Sequence, residues 1–269
     1  MPDADQSQRR PQALMLALLG EYVLDRRVCV SSGSVIDVLG RAGVSEHAAR
    51  STLTRMVGRD LLRRRPRGRR MYFGLTDRSI KILEEGAERI WQAGAVNRDW
   101  DGTWTLLGFS LPGSWQRERH DLRSQLGWAG FGPLQGGLWI APGTPDVRAI
   151  VADLGLTAQV RVFRARADEV TDVDRLVRET WDLAGLAARY EEFLKRWDGL
   201  PQADPLAAKL GLVSDWLQII RRDPRLPVRH LPPDWPAVRA QDLFHRLARR
   251  LNPGARAVAG KVLDTIPDD

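Results

Sequence analysis

The chain has 269 residues, 43% of them hydrophobic, enough for two or three cored domains and against wholesale disorder. Its net charge of +7 is unevenly placed: residues 1–99 hold 18 Arg/Lys against 12 Asp/Glu, so the remainder is not a general polyanion binder. Cys29 is the only cysteine, which excludes an intrachain disulfide and a cysteine-rich zinc site. The first residues lack an apolar signal core, and no run nears the roughly 18 apolar residues of a membrane span. An intracellular, cytoplasmic protein with no membrane partner is expected.

Residues 1–10 are polar, and a mobile start is expected. Pro11 can begin a helix whose apolar stripe is Leu14, Leu18, Leu19, Tyr22 and Val23. Cys29 lies in the short apolar segment Val28–Val30, where it reads as a small core residue. Ser31 to Ser34 opens a second helix through Val35, Ile36, Val38 and Leu39, and Gly40 to Gly43 closes it. Ser45 can cap a third helix, with Glu46 at the positive end of its dipole. At about 100° per residue, Ala49, Leu53, Met56 and Val57 fall on one side of that helix. His47, Arg50, Ser51, Thr54 and Arg55 fall on the other.

Behind this helix come Leu61-Leu62 and six arginines around Pro66 and Gly68, then the strand-like Met71-Tyr72-Phe73. Two short strands about a Pro-Arg-Gly turn, after a helix with a polar outer side, predict a winged helix-turn-helix over 1–96. Its linker helix is expected from Thr76 to Ala95. An arginine run alone is as often a solvated face, but six guanidinium groups at one hairpin repel one another unless an anion compensates. Asp60 is the only acid between Val57 and Tyr72. The candidate DNA contacts are Ser45, His47, Arg50, Ser51, Thr54, Arg55 and Arg59, with Arg65, Arg67, Arg69 and Arg70 on the wing. A single winged helix buries a modest surface, so a homodimer on a palindrome of double-stranded DNA is expected.

A boundary follows at Asn97–Gly102. Strand candidates at Trp104–Ser110, Phe131–Ile140 and Gln159–Arg164 alternate with helices at Trp115–Leu126 and Asp146–Leu154. This pattern predicts a ferredoxin-like α/β domain over 97–173. From Asp174 the chain reads as helical to residue 269, with an apolar series from Leu176 to Trp197, a helix at Val213–Arg222 and a proline-punctuated loop from Arg225 to Pro236. A last strong helix is expected at Ala240–Leu251, with another turn or two at Ala255–Leu263. The fold class is therefore α+β.

Enzyme templates fail. GFGPLQGG has no Lys-Ser/Thr after it and is not GxGxxG, and GFSLP has Pro112 where a nucleophile elbow needs glycine. His47, His120, His230 and His245 form no metal motif, so neither a metal nor a cofactor is expected; the last three read as ordinary surface or loop residues. Of the ten tryptophans, most read as core or interface residues, a ring-lined pocket being the alternative.

The order of these segments resembles the PaaX family, the repressors of phenylacetate catabolism. The resemblance is carried by the winged helix, by LLGFSLP with RERHDLRSQLGWAGFGPLQGGLWIAP, by WDLAGLAARYEEFL and by RRDPRLPVRHLPPDWP. It implies a three-part regulator whose central domain is similar to small CRISPR-associated nucleases. It also implies a dimer that leaves operator DNA when an aryl-CoA thioester, typically phenylacetyl-CoA, binds. The CoA phosphates need cations, for which Arg117, Arg119, Arg123, Arg164 and Arg166 are the candidates. Two rival readings are a metal-dependent nuclease built on the middle domain and a scaffold or co-regulator that binds DNA weakly.

Overall fold

The computed structural model describes residues 11–199 and 204–268, for Ala93 the backbone alone. The expected mobile start, 1–10, lies outside them. The described residues fall into two compact units, one drawn from 1–93, 195–218 and 242–269, the other from 94–194 and 219–241.

The first unit begins with α1 (Pro11–Tyr22), whose Leu14, Met15, Leu18 and Leu19 are fully buried. β1 (Val28–Ser31) follows, then α2 (Ser32–Arg41), capped by the Ser31 hydroxyl, which accepts the Ser34 amide. Next comes α3 (Glu46–Gly58), after a turn in which Gly43 takes a φ of 84°. Its inner side is Ala49, Thr52, Leu53 and Met56, so the sequence periodicity located the buried face. β2 (Leu62–Arg67) and β3 (Arg70–Leu75) pair in register from Leu62–Leu75 to Arg67–Arg70, and Gly68 at the tip has a φ of 59°. The turn is thus Gly68-Arg69 rather than the expected Pro-Arg-Gly. Pro66 stays inside β2, which tolerates it because β2 is an edge strand. α4 (Asp77–Glu88) starts from a reciprocal cap between Thr76 and Ser79 and widens into a π-turn at Arg89–Ala93.

In the second unit β4 (Trp104–Phe109), α5 (Gln116–Trp128), β5 (Gly132–Gln135), β6 (Leu138–Pro142), α6 (Arg148–Asp153) and β7 (Val160–Ala165) follow in order. The sheet order is β5-β6-β4-β7 with every neighbouring pair antiparallel, a split βαβ arrangement. Leu107, Leu122, Leu126, Phe131, Ala141, Val151 and Val160 form its core. Gly132 permits close packing, since a Cβ there would lie 2.3 Å from the Thr180 methyl.

The remaining helices are α7 (Val173–Thr180), α8 (Leu183–Arg196), α9 (Pro205–Ile220) and α10 (Pro236–Val262). The two last helices expected from the sequence are one: α10 runs through Pro253. Buried Leu251, Ala255 and Ala259 hold both sides of the proline in one apolar face, and Gly254 allows Pro205 to lie close against it. In the first unit Phe244 of α10 stacks on Trp216 of α9 at 4.9 Å, and His245 packs on Phe244, so His245 is not an ordinary surface residue. Burial lowers its pKa. His230 is likewise engaged, 2.6 Å from the Asp174 carboxylate within the second unit.

A strand that the sequence did not announce ends the described chain. β8 (Thr265–Pro267) pairs antiparallel with β1, completing the sheet order β2-β3-β1-β8.

Candidate nucleic-acid interface

The outer side of α3 carries His47, Arg50, Thr54 and Arg55 exposed and Ser51 half-buried, as the periodicity predicts. Their hydrogen bonds refine their roles. The Ser45 hydroxyl accepts the Ala48 amide at 3.3 Å, so it is occupied as a cap. Arg50 is held by Glu46, one turn earlier, at 2.7 Å, and this pair lies in solvent. Thr54 donates to the Arg50 carbonyl at 3.1 Å, leaving its methyl and an oxygen lone pair to face outward. Arg55 donates to the Thr52 hydroxyl at 3.1 Å. Each guanidinium keeps further N–H groups, because arginine has five. Arg59 closes the helix through its amide and accepts Arg78 at its carbonyl.

The wing divides its arginines in two. Arg63 forms an ion pair with Asp268, which also lies 3.6 Å from Arg65, and Arg70 donates to Asp264 at 2.8 Å. Arg64, Arg67 and Arg69 are exposed and make no ion pair among the described residues. The reading of Asp60 as the only acid near the wing is therefore corrected: the fold brings in Asp264 and Asp268 from the far end of the chain. Arg64 was missed as a candidate, although it belongs to the same arginine run.

Behind the wing, Cys29 donates its thiol to Asp268 at 3.0 Å. Burial, and then the Asp268 carboxylate, push that thiol up to about 11, so it is a packed group and not a reactive thiolate. Asp268 is itself part-buried, which works against its charge. Donation from Cys29 and Arg63 outweighs this and holds its carboxyl below the ordinary range.

The five effector candidates do not act alike. Arg117 faces Asp121 at 3.8 Å on an exposed helix side, and Arg119 donates to the Leu111 and Pro112 carbonyls. Arg164 is exposed on β7, an edge strand, and Arg166 is exposed just beyond it, where it bears on Asp101. Arg123 alone of the five lines a concavity described below. Of the tryptophans, Trp100, Trp104 and Trp181 pack against one another, as the core reading expected, whereas Trp128 is 59% exposed. Among the described residues no group of three or more His, Cys, Asp or Glu could hold a metal ion.

Family descriptions match three successive stretches: PaaX-like protein over 10–79, PaaX protein central Cas2-like domain over 97–177, and PaaX-like protein C-terminal domain over 181–261. The chain belongs to the PaaX family. The transcriptional repressor PaaX of Escherichia coli is 27% identical, with 94% of this chain and 84% of that protein covered. A solved structure of an uncharacterized protein from Mycobacterium tuberculosis, 26% identical, superposes with a TM-score of 0.63 over 91% of this chain and 96% of that one. The PaaX likeness supports a transcriptional regulator and does not favour the nuclease reading. No helix among the described residues is long and apolar enough to cross a membrane.

Proposed function

We propose that this PaaX-family protein is a homodimeric repressor of a catabolic operon that binds operator DNA and leaves it when an aryl-CoA thioester such as phenylacetyl-CoA binds. Its parts are a winged helix-turn-helix, a ferredoxin-like middle domain and a helical C-terminal region whose last residues return to the first sheet. The observation that carries this reading is the pairing of two features on one unit. α3 turns Arg50, Thr54 and Arg55 outward, and the adjoining wing holds Arg64, Arg67 and Arg69 without counter-charge among the described residues. α3 enters the major groove, where Arg50 and Arg55 reach base edges or phosphates, and the wing arginines track phosphates or the adjacent minor groove. Effector release is allosteric: the ligand prefers a state whose two heads are wrongly spaced for the operator.

The test is fluorescence anisotropy on DNA from upstream of the protein's own gene, across a salt series, with and without phenylacetyl-CoA. Tight, salt-sensitive binding relieved by the thioester is expected. Tight binding indifferent to the thioester keeps the regulator and discards that ligand. Absence of binding to specific or random duplex at modest salt overturns the DNA-binding reading.

A further inference from the structure

Three arginines that the function above leaves unused meet in the second unit. Arg123 of α5, Arg189 of α8 and Arg222, just after α9, line one concavity of about 320 Å³ together with Ser124, Gly127 and Trp128. No acid lines it, and none of the three arginines makes an ion pair among the described residues. Like charges gathered around one hollow repel, and the gap is closed most simply by an anion with several acceptor oxygens. The Arg222 guanidinium carbon lies 5.4 Å from the centre of the Trp128 ring, a cation–π contact on a side chain 59% exposed. An exposed indole beside guanidinium groups offers a flat surface on which a heterocyclic base can stack.

Beside this hollow, and sharing Gly127, Arg189 and Arg222 with it, lies a recess of about 140 Å³. Its apolar lining includes Phe131, Trp181, Leu186 and Pro224. The one carboxylate on its rim, Asp182, accepts the Gly185 amide at 2.8 Å and so caps the start of α8. The Trp181 ring nitrogen donates to the Gly130 carbonyl at 3.3 Å, which fixes the indole in the wall of the recess. An apolar cavity of about 150 Å³ is known to accept a benzene molecule, so the recess has the size of one phenyl ring.

We infer that these two joined hollows bind a small molecule with phosphates and a heterocyclic base at one end and a single aromatic ring at the other. The phosphates sit among Arg123, Arg189 and Arg222, the base lies against Trp128, and the aryl ring enters the recess. Of the sequence candidates for phosphate contacts, Arg123 is retained, and Arg189 and Arg222 replace the other four. This deepens the effector part of the function proposed above and rests on it for the consequence, release from DNA.

Gly127 gives a test that leaves charge untouched. It lies within α5, lines both hollows, and a Cβ built there meets nothing within 4 Å, so Gly127→Leu fills the space without a backbone clash. The full chain would be titrated calorimetrically with coenzyme A, acetyl-CoA and phenylacetyl-CoA. Phenylacetyl-CoA is expected to bind at least about tenfold more tightly than acetyl-CoA, the factor that one ring's burial readily supplies. R123Q and R189Q are each expected to weaken all three ligands about tenfold, as loss of a charge-assisted contact does. Gly127→Leu is expected to abolish phenylacetyl-CoA binding, with melting temperatures and ligand-free DNA binding unchanged in every variant. The proposal is overturned if the wild type binds none of the three, or binds them with affinities that Gly127→Leu and R189Q leave intact. Operator binding without ligand binding sinks this site and spares the regulator. Variant-sensitive ligand binding without any DNA binding supports the site and sinks the regulator.

Discussion

Arg70, beside the turn of the wing, donates a 2.8 Å hydrogen bond to Asp264, which lies 194 residues further along the chain. The same carboxylate oxygen accepts the Tyr72 hydroxyl at 2.9 Å. Asp264 is fixed in turn to the start of α2, because its amide donates to the Ser34 hydroxyl and its carbonyl accepts the Ser31 amide, both at 2.9 Å. The end of the chain thereby separates wing arginines that carry a structural partner from those that point into solvent.

Replacing Asp264 by alanine would release Arg70 and Tyr72 together. If the freed Arg70 reaches a phosphate, the slope of log affinity against log salt is expected to steepen by about 0.9, the increment for one neutralised phosphate. The DNA titration across salt concentrations measures this directly. An unchanged slope would place Arg70 outside the footprint.

Arg50 and Arg55 make a different prediction from the wing tip. Alanine at either is expected to cost about 1–3 kcal/mol on the operator and much less on random duplex if it reads a base edge. Alanine at Arg67 or Arg69 is expected to weaken specific and random DNA alike and to flatten the salt slope by about one phosphate each. Glu46 adds a check, since it holds Arg50 at 2.7 Å. Glu46→Gln should release that guanidinium and raise operator affinity, and equal or lower affinity would show that Glu46 positions Arg50 for binding.

Much of this was legible in the sequence because local signals and burial agreed. Ser31, Ser45 and Thr76 announced three helix starts, and the spacing of Ala49, Leu53 and Met56 gave the inner face of α3. What escaped was non-local. Thr265-Ile266-Pro267 is too short and too proline-rich to read as a strand, and only β1, far earlier in the chain, makes it one. The neutralisation of Arg63, Arg65 and Arg70 depends on that return, so a count of acids near the arginine run could not find it. The helix expected to end at Leu251 instead continues through Pro253, because burial on both sides of the proline outweighs its local cost. Arg189 and Arg222 carry no sequence signal that joins them to Arg123, since only the packed helices bring them around one hollow.

Asp268 gives the wing a pH dependence. Its folded carboxyl lies below the ordinary aspartate range, so its contribution to stability is complete above the unfolded value of about 3.9. That contribution disappears as pH falls through the lower folded value. With Arg63 half in solvent, screening limits the contribution to about 1 kcal/mol or less. Thermal melts at neutral pH should therefore show Asp268→Asn slightly below wild type. As the pH falls below 4 the two curves should converge, and a constant gap down to the most acid point would assign the loss to packing rather than charge.

The tightest fit around this carboxylate is at Gly74, opposite Arg63 in the hairpin. A Cβ there would lie 2.8 Å from the Cys29 sulfur, 3.0 Å from an Asp268 oxygen and 3.1 Å from the Arg63 Nε. Overpacking of this kind typically costs about 1–3 kcal/mol, so Gly74→Ala should lower the denaturation midpoint clearly. The sulfur is the nearest of the three and belongs to β1, whose backbone is held by strands on both sides. It cannot retreat as a flexible surface arginine can. Cys29→Ala should therefore restore part of the loss when combined with Gly74→Ala, although alone it removes a buried group and its hydrogen bond. A double-mutant cycle by chemical denaturation measures the coupling. Costs that simply add would mean that Asp268 and Arg63, rather than the thiol, set the space available to β3.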